Sequence, residues 1–162
     1  MNRQKQIKIG WKSETGQALL EGAFVLLTLL LLTFAMVDFA IVFYVYQSLE
    51  NSISQASRFA VTGQRKQGID PITGQQVTLD RAASIKKAMQ EATTLDLSTA
   101  RYTFTNISNP TGDPTGSPGD IIKVAVSYDW PIITPLIRPM FSNGKVRLTV
   151  SAAVKNEPSP NL

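Results

Sequence analysis

The feature that most constrains this chain is an apolar run near its start. From Ala23 to Val37 it reads AFVLLTLLLLTFAMV, fifteen residues without a charge. Asp38 interrupts, and FAIVFYVY carries the apolar character on to Tyr46. Ala23–Tyr46 is 24 residues, about 36 Å as a helix, against a bilayer core of about 30 Å. In hydrocarbon every backbone N–H and C=O must find an internal partner, so a run of this length reads as one membrane-crossing helix. Tyr44 and Tyr46 fall where aromatic side chains collect at the outer interface.

Charge gives the run a direction. Residues 1–16 hold Arg3, Lys5, Lys8 and Lys12 against Glu14, so +3 of the net +4 sits in this leader. The other 146 residues carry 12 basic and 11 acidic side chains. A basic flank keeps its end of a span in the cytoplasm. It is not a nucleic-acid footprint, which would cluster cations on a folded surface.

Leader and run meet at Gly16-Gln17-Ala18-Leu19-Leu20-Glu21. An unpaired carboxylate in hydrocarbon costs about 2.5 kcal/mol or more, so Glu21 needs a reason. A Gly on the hydrophilic side with a Glu five residues later is the pattern of a prepilin-type signal. Such a signal is cut after the Gly, between Gly16 and Gln17 here, and the apolar segment stays on the mature chain. An ordinary secretory signal loses its apolar region instead. Glu21 alone could be a charge at the cytoplasmic interface. The functional reading gives it a part in processing, and in packing through the new α-amino group of Gln17.

Asp38 lies 17 residues beyond Glu21, about 25 Å along a helix. It either reaches the outer headgroups or makes an intramembrane polar contact with a partner helix, since ionisable groups in spans usually face protein. Thr28 and Thr33 can bond across a helix pair, but bonding back to their own backbone is the simpler expectation.

The helix continues past the span. Leu49, Ile53, Ala56 and Ala60 form a stripe at spacings of 4, 3 and 4, and Gly63 is a plausible stop. Ser48, Asn51, Ser52, Ser54, Gln55 and Ser57 make a polar, weakly charged face, either solvated or in lateral contact with other subunits. Arg58 and Phe59 are candidates for fixing the rest of the chain against the helix. Residues 63–78 are turn-rich without a period. Asp80 is a candidate N-cap for a second helix over about 80–94, with Ala82, Ile85, Met89 and Ala92 as its apolar stripe. Arg101–Ile107, Ile121–Tyr128 and Val146–Val154 alternate as strands. SNPTGDPTGSPGD (108–120) is a Pro/Gly loop. In WPIITPLIRPMFSNG, Pro131, Pro135 and Pro139 forbid a regular strand or long helix. That segment is either core packing or an exposed apolar dock for a partner or the membrane surface. The chain closes on the tail KNEPSPNL.

The expected fold is α+β: a long N-terminal transmembrane helix extending into a small extracytoplasmic head. The head has one further helix and an antiparallel sheet of three or four strands. The expected divisions are a leader at 1–16, removed, a transmembrane and extended helix at 17–62, and the head at 63–162.

The chain has no cysteine and no histidine. Disulfides, thiolate chemistry, Ser-His-Asp and Cys-His catalysis and His-based zinc sites are therefore excluded. There is no Walker or dinucleotide glycine loop. Asp113 and Asp120 offer Ca²⁺ the right donor type but too few donors to specify a site. No enzyme activity, cofactor, metal, nucleic acid or small-molecule substrate is expected.

Several segments together resemble the TadE-like proteins, minor pseudopilins of tight-adherence (Tad) pilus systems. They are the Gly16/Ala18/Glu21 junction, the leucine-rich span, Asp38-Phe39, Phe43–Tyr46, Arg58-Phe59-Ala60 and the closing Ala152–Pro158. The major Tad pilins carry Tyr after the Glu, whereas this chain has Gly22, which fits a minor component better. The resemblance implies cleavage after Gly16 by prepilin peptidase and the packing role of the fifth-position Glu for Glu21. It implies partners among other pilins or pseudopilins and the inner-membrane assembly platform, besides membrane lipid. It places the chain in a bacterial inner membrane, single-pass, N-terminus in the cytoplasm, serving adhesion or secretion. The alternatives are a fibre pilin subunit, or a membrane-anchored extracytoplasmic binding module whose head captures a ligand.

Overall fold

The computed structural model describes residues 13–70 and 72–157. Most of the leader, including Arg3, Lys5, Lys8 and Lys12, lies outside the described residues, as do Pro71 and the tail from Pro158. The elements in order are helix α1 (Ser13–Val61), strands β1 (Gln67–Ile69) and β2 (Gln76–Thr78), helix α2 (Arg81–Glu91), and strands β3 (Arg101–Asn106), β4 (Ile121–Pro131) and β5 (Lys145–Lys155). Two short 3-10 turns, Arg138–Met140 and Ser142–Gly144, lie between β4 and β5. The chain divides into two compact units, Met1–Val37 and Asp38–Leu162.

In the first unit, α1 exposes its apolar side chains. Leu19, Leu20, Phe24, Leu29 and Met36 all face outward. The helix is long and apolar enough to cross a membrane. Within it, Thr28 Oγ1 donates to the Phe24 carbonyl at 2.9 Å and Thr33 Oγ1 to the Leu29 carbonyl at 2.8 Å. Each hydroxyl is thus satisfied one turn back on its own helix, the simpler of the two expectations.

The second unit begins at Asp38, so it takes in the rest of α1 as well as residues 63–157. Leu49, Ile53, Ala56 and Ala60, the stripe read from the sequence, are all buried. Gly63 ends the helix: its φ of +66° is left-handed, and its N–H donates to the Ala60 carbonyl. Glycine takes that conformation without the Cβ strain other residues meet.

Asp80 caps α2, accepting the Ala83 N–H at 2.6 Å. That satisfies one of the amides a helix start leaves unpaired. Ile85 and Met89 of its stripe are fully buried, joined by Ser84 and Ala88.

Strands β3, β4 and β5 form one antiparallel sheet in that order. The register aligns Tyr102 with Val126 and Phe104 with Val124. It aligns Val126 with Val150, Val124 with Ala152 and Ile122 with Val154. One face is therefore continuously apolar, and it packs with the α1 and α2 stripes in a single core. Strand period two and helix period 3.6 meet at that core.

The sheet departs from expectation in two places. β4 runs through Trp130 to Pro131, past the expected end at Tyr128. Proline is tolerated there because it closes the strand. Residues 63–78, read as turn without a period, contain the separate β1–β2 hairpin, with Gln67 opposite Thr78. Its strands of three residues are too short to show alternation. The turn is held by Asp70, whose Oδ1 accepts the Ile72 N–H at 2.8 Å.

Candidate functional site

Gly16, Gln17 and Glu21 all lie on the exposed surface of α1. A Cβ built on Gly16 would meet nothing within 4 Å. Glycine inside a helix costs about 1 kcal/mol relative to alanine. No packing within the described residues compensates that cost, so folding does not demand the glycine. Gln17 and Glu21 are four residues apart, hence neighbours on one helix face.

Asp38 sits at the start of the second unit and is 5% exposed. Its Oδ1 accepts the Ile133 N–H at 3.1 Å and its Oδ2 accepts the Thr134 N–H at 3.0 Å. These amides lie just past the last ladder contact, in which the Ile132 N–H donates to the Gly144 carbonyl. Within the chain the carboxylate's partner is a loop 95 residues away, a contact the sequence did not reveal. Each carboxylate oxygen thus accepts one backbone amide, a charge-assisted pair.

The segment 132–144 is divided. Ile132 and Thr134 are buried, while Ile133, Leu136 and Met140 are exposed. It is therefore neither plain core nor a free strap.

A second polar node joins four parts of the second unit. Arg81 Nη2 donates to the Ala60 carbonyl at 2.8 Å and to Asn156 Oδ1 at 2.6 Å. Asn156 Nδ2 donates to the Ser117 carbonyl at 3.0 Å and more weakly to that of Thr115 at 3.4 Å. The backbone follows: Asn156 N–H donates to the Asp120 carbonyl and Glu157 N–H to that of Val61. The end of α1, the start of α2, the 108–120 loop and the end of β5 meet there. Gly116, at φ +73°, lets the loop approach; a Cβ there would come within 2.8 Å of Asn156 Nδ2.

Asp113 and Asp120 are spent on this loop. Asp113 Oδ1 accepts the Thr115 N–H and hydroxyl. Asp120 Oδ2 accepts from the Ser117 N–H and Asn106 Nδ2. The Thr115 amide holds the Asp113 carboxyl below the usual range, and the Ser117 amide does the same for Asp120. Among the described residues no group of three or more acidic side chains could hold a metal.

The polar face of α1 is partly used within the chain. Ser52 is buried and donates to the Leu49 carbonyl, and Ser48 bonds Thr93 at 2.8 Å. Asn51, Ser54 and Gln55 remain exposed. Of the Arg58-Phe59 pair, Phe59 packs against the core with Lys66 Nζ 5.3 Å from its ring, while Arg58 is exposed. The second cation at this junction is Arg81, which sequence reasoning missed. Tyr44 is exposed, but Tyr46 packs against the core and donates to Glu50 at 2.8 Å.

A protein-family model described as TadE-like protein matches residues 16–58. No curated protein and no solved structure matches the chain.

Proposed function

We propose that this chain, whose residues 16–58 are a TadE-like segment, is a minor pseudopilin cut after Gly16 by prepilin peptidase. The family match associates it with Tad-type pili. The observation that carries the finer reading is the junction itself. The match begins at Gly16, a helical glycine that folding does not require, followed at Glu21 by an exposed carboxylate ahead of an exposed apolar helix.

In this mechanism the basic leader stays in the cytoplasm and the helix crosses the inner membrane once. Cleavage creates an α-amino group on Gln17. Glu21, one turn on, is in reach of that group on its own chain or a neighbour's, where water competes weakly and the pair fixes register between packed helices. The exposed leucines supply lateral packing surface. The head then stands outside the membrane, beside other pilins and the assembly platform. No step asks this chain for catalysis; a separate cytoplasmic ATPase supplies the work.

The test is co-purification. Full-length chain is affinity-captured from detergent-solubilised membranes of cells making the pilus, alongside a Glu21→Ala variant. Recovery of pilins or platform proteins, reduced in the variant, is the expected result. A chain that recovers none, in cells whose pili survive its deletion, would instead be an anchored binding module.

A further inference from the structure

The Asp38 end of the second unit carries two sets of apolar side chains that the chain itself leaves uncovered. One is on α1: Phe39 is 71% exposed, and its ring stacks on Phe43 at 6.4 Å. The other is in the β4–β5 connection, where Ile133 is 60%, Leu136 61% and Met140 81% exposed. These loop residues do not face out by slack. Ile132 and Thr134 on either side of Ile133 are buried, and the amides of 133 and 134 are clamped on the Asp38 carboxylate.

We propose that the 133–141 loop is an interfacial anchor that inserts into the outer leaflet's headgroup region beside the point where the chain leaves the membrane. The inference rests on the membrane-crossing reading above. Four observations favour lipid as the occupant. Asp38 follows Val37 directly, so the clamp holds the loop at the residue where the uncharged run ends. Glu21 to Asp38 is 17 residues, about 25 Å of helix, close to the bilayer core thickness of about 30 Å. With Glu21 at the inner boundary, Asp38 falls at the outer one. Tyr44, 60% exposed on α1 just beyond Asp38, is of the aromatic type that collects at that depth. Finally, residues 129–147 carry Arg138, Lys145 and Arg147 against Asp129 alone, a positive balance suited to anionic headgroups. The clamp also explains an aspartate in an apolar run: its charge is held by two amides, so it need not be unpaired at that depth.

The chain's lack of cysteine makes the test direct. Single-cysteine variants Met140→Cys, Leu136→Cys, Leu29→Cys and Thr111→Cys of the full chain are labelled with an environment-sensitive fluorophore. They are reconstituted in phosphatidylcholine–phosphatidylglycerol vesicles, with and without lipids carrying a nitroxide either near the headgroup end of the acyl chain, for 136 and 140, or near its middle, for 29. Thr111 is exposed in the loop at the other end of β4. The expected result is that labels at 140, 136 and 29 lose fluorescence to the nitroxide and that at 111 does not. Adding Asp38→Ala should restore fluorescence at 140 while 29 stays quenched. Quenching at 29 alone overturns the anchor and leaves the membrane reading standing. Quenching at neither 29 nor 140 overturns both. A 140 label shielded from lipid nitroxide and from aqueous iodide alike means that protein covers the loop, which also overturns the proposal.

Discussion

Asn156→Ala is the substitution whose effect the structure defines best. Asn156 is 1% exposed and its side chain serves three partners. Removing it takes the Asn156 acceptor from the Arg81 guanidinium, a charged hydrogen bond worth about 1.5–3 kcal/mol. It also removes the donor to the Ser117 carbonyl, worth about 1 kcal/mol. The 3.4 Å contact to Thr115 adds little. Arg81 keeps its bond to the Ala60 carbonyl, so the guanidinium is not stranded entirely. The expected loss is about 3 kcal/mol, which for a unit of this size lowers the unfolding midpoint by about 10 °C. The assay is thermal unfolding of the full chain in mild detergent, followed through Trp130, half-buried in β4. Lys155→Ala, one residue earlier and exposed, is the control and should stay within about 0.5 kcal/mol of the parent. An Asn156→Ala midpoint indistinguishable from that control would refute the node as a fastening of the head.

Further expectations use the same assay or a simple variant of it. Asp80→Ala removes the α2 cap and should cost about 1 kcal/mol, a midpoint lower by about 3–5 °C; no shift would mean the cap contributes nothing. Asp113 and Asp120 have folded pKa values below the ordinary carboxylate value. Their contribution is therefore present above about pH 4, the unfolded value, and lost as pH falls through the folded ones. The midpoint should be flat from pH 7 to about 5 and fall below about 4, less steeply in Asp120→Asn; identical acid limbs would contradict this. Thr28→Val and Thr33→Val should leave membrane insertion and partner recovery unchanged, because both hydroxyls bond their own helix. Loss of partners in either variant would point to contacts between helices.

What the sequence revealed follows from what kind of signal each part carries. The α1 stripe, the Asp80 cap and the alternating strands are local patterns, and each reappears with the same residues buried or bonded. Gly63 was legible because a helix stop needs a left-handed residue. The β1–β2 hairpin was not, since three residues per strand show no period. Asp38 could be singled out as a charge in an apolar run, but its partner could not. That contact joins residues 95 apart through backbone amides, which carry no side-chain signature. The Arg81–Asn156 pair, 75 residues apart, was hidden for the same reason. Asn156 stood out only within a closing segment that resembles the family's ending.

The central claim is cleavage between Gly16 and Gln17, and the direct measurement is the N-terminal sequence of the chain extracted from membranes of cells with and without prepilin peptidase. The account predicts a start at Gln17 when the peptidase is present and at Met1 when it is absent. A start at Met1 in both would contradict it, leaving an uncleaved, membrane-anchored module.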